Sequence, residues 1–66
     1  MNVAKLKAKI VEREINVEAL ADMIGLERSV LYRRLAEPEK ITIGEATRMK
    51  DALGLTNKEA SDIFLA

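Results

Sequence analysis

Apolar residues recur along the chain at intervals of three and four, and nowhere alternate with a period of two for long enough to make a strand. Val3, Leu6 and Ile10 give a first helical stripe over residues 2–14, with lysines on the other faces. Asn16 suits the N-cap of a second helix, Val17 to Ile24, whose inner stripe is Leu20, Ala21 and Ile24. Gly25 stands where a left-handed residue ends that helix. A third segment, from about Glu27 to Ala36, has Leu31 and Leu35 as its core pair. Pro38 closes it, and Glu37-Pro38-Glu39-Lys40 reads as a surface loop.

Two capping boxes follow. Thr42-Ile43-Gly44-Glu45 starts a fourth helix with the stripe Ile43, Ala46, Met49 and Leu53, ended by Gly54. Thr56-Asn57-Lys58-Glu59 starts a fifth, carrying Ala60, Ile63 and Phe64. The predicted class is all-α: a compact bundle of five short helices in one domain, 1–66. None is long enough to be stable alone, so all must share one core.

Composition narrows the chemistry. Without cysteine or histidine there is no disulfide, no Cys/His zinc site, no thiol nucleophile and no imidazole base. Glu27 and Glu37, the one pair of acids worth weighing as an acid/base site, lie a whole helix apart, about 15 Å at the rise of 1.5 Å per residue. No catalytic residue, metal, cofactor or small-molecule ligand is expected. Tyr32 and Phe64 are too few to stack single-stranded bases. No apolar run approaches the roughly 18 residues of a membrane span, and no apolar segment follows the N-terminal lysines to make a secretory signal. With no export signal and no disulfide, the expected setting is the cytoplasm, away from membranes.

Eleven basic residues balance eleven acidic ones, but unevenly. Lys5, Lys7, Lys9 and Arg13 face only Glu12 in residues 1–13, and Arg28, Arg33 and Arg34 face no acid in residues 28–36. A neutral total thus hides two basic stretches. Lys5, Lys7 and Lys9 read as a solvated face, and Arg33 has Glu37 four residues on as an available ion-pair partner.

The most informative stretch is Asn16–Leu35. A helix of about eight residues, a glycine turn and a second helix have the spacing of a helix-turn-helix, over about residues 16–36. Leu20-Ala21, Ile24-Gly25-Leu26, Arg28-Ser29, Leu31-Tyr32-Arg33 and Leu35 resemble that motif in the lambda-type phage repressor and Cro family, also called the XRE family. Ile41–Ala46 and Ala52–Thr56 resemble the family's fourth helix and turn. Asn57–Ala60 through Ile63-Phe64 is similar to the tail of small phage regulators from Gram-positive hosts. The chain departs from the family at Val17, which often is a polar phosphate contact, at Glu27, commonly a capping Ser or Thr, and at Arg34, an aliphatic residue in some relatives.

The resemblance implies a lambda-repressor-like fold and a transcriptional regulator that binds double-stranded DNA sequence-specifically. The exposed face of the third helix (Arg28, Ser29, Tyr32, Arg33) would enter the major groove and meet bases. Asn16 would sit over a phosphate at a helix N-terminus, and Arg34 and Lys40 would touch the flanking backbone. Of Ile63, Phe64 and Leu65, each about 100° from the next, at least one must look outward from the core. These three are the expected seam of a homodimer on a near-palindromic operator. The alternative is a protein-interaction module on the same fold, such as an antitoxin or adaptor.

Overall fold

A computed structural model describes all 66 residues. Five helices follow in order: α1 (Val3–Glu12), α2 (Val17–Ile24), α3 (Arg28–Ala36), α4 (Ile43–Leu53) and α5 (Asn57–Phe64). A 3₁₀ turn at Pro38–Lys40 links α3 to α4. There is no strand, and the all-α class holds.

Four helix starts carry a side-chain cap. Asn2 accepts from the Lys5 amide and Asn16 from the Ala19 amide. Thr42 and Thr56 each form the full reciprocal box, with Glu45 and Glu59 returning to the cap's own amide. Each satisfies N–H groups that the first helical turn leaves without a partner. Glu27, before α3, makes no side-chain cap.

Three helices end alike. The chain swings into the left-handed region, and an amide beyond the end reaches back to a last-turn carbonyl: Leu26 to Ala21, Leu55 to Lys50 and Ile15 to Ile10. Gly25 (φ 74°) and Gly54 (φ 61°) make the first two swings. The third is made by Glu14, at φ 58°, where a side chain is strained.

Eleven apolar residues form one core: Leu6 and Ile10 of α1, Leu20, Ala21 and Ile24 of α2, Leu31 and Leu35 of α3, Met49 and Leu53 of α4, Leu55 beyond it, and Ile63 of α5. α2 lies at the centre, against both α3 and α4, while α1 packs on α5. Arginines reaching across helices fasten the two glycine-ended helices. Arg48 of α4 donates to the Ile24 carbonyl at 3.0 Å, and Arg13 donates to the Leu53 carbonyl at 2.8 Å. Each places a cation at a helix C-terminus, where the macrodipole favours it.

The start of α4 is rotated from the sequence expectation. Ile43 is 87% exposed, while Glu45 is 5% exposed. The buried stripe is Glu45, Met49 and Leu53. The cause is local and tertiary together. The capping box folds Glu45 back over the helix end, where it accepts from the Thr42 amide (3.0 Å) and from Arg34 Nε of α3 (3.1 Å). No buried side-chain polar atom is left without a partner.

Candidate functional site

α2 and α3 make a helix-turn-helix pair across a three-residue turn, Gly25-Leu26-Glu27. Gly25 meets no atom that an added Cβ would strike, so its positive φ alone sets the demand for glycine there. Ala21, fully buried, lies on the α2 face turned to the core. Leu31 and Leu35 turn the inner face of α3 into the core. That rotation leaves Arg28, Ser29, Tyr32 and Arg33 all exposed. The structure therefore brings together on one outer surface the four side chains picked out from the sequence.

Their surroundings differ. Arg28 Nη2 pairs with Asp22 Oδ2 of α2 at 2.9 Å, and both groups remain well exposed. The Asp22 carboxylate raises the Arg28 pKa above its ordinary value. Tyr32, 49% exposed, donates its hydroxyl to Glu18, also on α2. That bond lowers the Glu18 pKa and raises that of Tyr32. Arg33 makes no ion pair, because Glu37 pairs with Lys40 instead, at 2.6 Å. The expected Arg33–Glu37 contact is thus replaced by Lys40–Glu37. Arginine 33 is the unengaged cation of this face.

The residues assigned to the backbone of DNA divide. Asn16 Oδ1 accepts from the Ala19 amide at 2.8 Å, leaving its side-chain NH2 for an outside acceptor. Lys40 stays exposed beside Glu37. Arg34 does not point free into solvent. It is half-buried and committed to Glu45 of α4, with its alkyl stem lying along the protein surface. Val17, likewise, packs against the core.

At the C-terminal end the three expected seam residues also separate. Ile63 is 1% exposed and belongs to the core of its own chain, so it is not part of an outer surface. Phe64 is half-buried, and Leu65 is 81% exposed. These two border an apolar groove of about 320 Å³ between α4 and α5, with Ile43, Ala46 and Ala60 on its walls. Ile43, placed outside the core, becomes part of this surface.

The sequence reading missed Glu18 and Asp22. Their one signal is local: two acids four residues apart on α2, before a helix with Arg28 and Tyr32 at the same interval. Lys9, by contrast, is not a free solvated charge. It bridges Glu12 and Glu59, and its contact with Glu59 fixes α1 on α5.

The chain has no group of acidic side chains placed to hold a metal ion. No helix is long and apolar enough to cross a membrane. Comparison with protein families, curated proteins and solved structures finds no match.

Proposed function

We propose that this protein is a sequence-specific double-stranded DNA-binding regulator of the small lambda-type repressor and Cro kind, acting as a homodimer. The observation that carries this reading is the outer face of α3. Arg28, Ser29, Tyr32 and Arg33 are exposed side by side, on a short helix whose other face is locked by Leu31 and Leu35. A convex helix with arginines on its outer face fits the major groove, where a guanidinium meets guanine O6 and N7 with two hydrogen bonds. The Asn16 side-chain NH2, left free by its cap to the Ala19 amide, and the Val17 amide would supply phosphate donors beside it.

Size and surface support a dimer on a site with two half-sites. One copy measures at most 27 Å across, whereas adjacent half-sites on one side of the duplex lie about 34 Å apart. Reading both takes two copies. The α4–α5 groove, with Ile43 and Leu65 exposed at its rim, supplies an apolar surface for the second.

A second reading, a protein-interaction module, is favoured by a different observation. Glu18, Asp22 and Glu27 lie around the α3 face, and the chain's net charge is zero. The test is selection from a random duplex pool at about 150 mM salt, followed by a salt series on the enriched site. The expected result is a two-fold-related site with half-sites about one helical turn apart and steeply salt-dependent binding. A one-sided site would remove the dimer. Absence of enrichment, with only weak salt-sensitive binding, would favour the protein partner.

A further inference from the structure

We propose that Asp22 and Glu18 are specificity-determining residues, which hold Arg28 and Tyr32 in place so that the face reads base edges and resists bare phosphate. This rests on the DNA-binding reading above. The two acids lie one turn apart on α2, and their partners lie one turn apart on α3. They pair in antiparallel order, Asp22 with Arg28 and Glu18 with Tyr32, so the contacts form a two-rung ladder between the helices. Arg33, on the same outer face of α3, has no such partner.

The ladder changes what each side chain offers. Asp22 engages only Nη2 of Arg28, at 2.9 Å. The other N–H groups of the fork remain for a guanine, and the held guanidinium loses less rotational freedom on binding. Tyr32 gives its one hydroxyl proton to Glu18. It keeps a ring for a thymine methyl but has no donor for a phosphate oxygen. Both carboxylates repel phosphate that approaches without the correct bases. Unrelated duplexes, bound through phosphates alone, lose most by this; a matching site regains it through base contacts. The acids therefore lower affinity for wrong DNA more than for right DNA, which is specificity by penalty.

The test uses the full chain, Asp22→Asn and Glu18→Gln, the enriched duplex and a scrambled duplex at one salt concentration. These isosteric changes lie at the surface, and exposed pairs contribute little to folding, so the melting temperature should hold. The ratio of affinities for the two duplexes should fall about tenfold in Asp22→Asn, chiefly through tighter binding to the scrambled one. The guanine preference under Arg28 should relax, and Asp22→Asn should change that preference no further once Arg28→Ala is present. Ratios within about twofold of wild type in both variants would overturn the inference while leaving the DNA reading in place. A wild-type chain without any sequence preference would remove both.

Discussion

The Glu45 contact is the point where one substitution tests most of the packing argument. Its carboxylate is almost fully buried and accepts from Arg34 Nε and from the Thr42 amide, joining α3 to the start of α4. Glu45→Ala removes the charge-assisted bond, about 1.5–3 kcal/mol. It also removes half of the capping box, about 1 kcal/mol. The expected loss is about 3 kcal/mol, out of a total of about 3–10 kcal/mol for a chain of this length. Glu45→Gln keeps an acceptor for Thr42 and loses only the charge, so about 1–2 kcal/mol should go. The assay is urea unfolding followed by helical circular dichroism.

Acid gives an independent check. Burial works to raise the Glu45 pKa, but the Thr42 amide, the Arg34 hydrogen bond and the charges of Arg34 and Arg48 outweigh it and set it below the ordinary value. Glu59, bonded by Lys9 and by the Thr56 amide, is lowered further, to about 2. A carboxyl lowered on folding contributes stability that is fully present above its unfolded pKa, near 4.3, and is lost as pH falls through the folded one. Stability should therefore decline from about pH 5 towards pH 2, and less steeply in Glu45→Gln. If both variants match wild type within about 0.5 kcal/mol at neutral pH and share its acid profile, the buried ion pair does not hold α3 on α4.

Three further predictions follow from other parts of the molecule. Glu14→Gly should stabilise the chain by about 0.5–1 kcal/mol, since relief of the left-handed strain at φ 58° exceeds the entropy cost of glycine; a lower melting temperature would contradict this. Arg28→Ala and Arg33→Ala should each weaken the enriched site about ten- to a hundredfold and relax its sequence, whereas Lys40→Ala should weaken all duplexes alike; competition binding on matched and scrambled DNA separates the two patterns. Leu65→Glu and Ile43→Glu should leave the fold intact, because both residues are exposed, while shifting the protein to monomer in sedimentation; a persistent dimer in both would place the seam elsewhere.

Helix boundaries were legible because their signals are local. Asn16, Thr42 and Thr56 cap their own next turn, and Gly25 and Gly54 take a backbone angle that most residues resist, so none of these depends on a distant neighbour. The outward face of α3 was legible for a related reason. Leu31 and Leu35 leave it only one way to bury apolar surface, and Arg28, Ser29, Tyr32 and Arg33 then point away.

What the tertiary structure alone decided is partner choice. Periodicity places Ile43 in the core, and the resemblance implies a phosphate role for Arg34; instead Glu45 is buried against Arg34, eleven residues away in the chain, and Ile43 is exposed. Glu37 had both Arg33 and Lys40 within reach along the chain, and the turn at Pro38 gave it to Lys40. Ile63, Phe64 and Leu65 are equal in apolar character, yet only the angle at which α5 meets the core separates a buried residue from an exposed one. Asp22 and Glu18 reach Arg28 and Tyr32 only because the Gly25 turn brings α2 against α3. Caps and turns are set by a few adjacent dihedral angles, whereas the partner of a long charged side chain is set by whichever group the packed helices bring within about 4 Å.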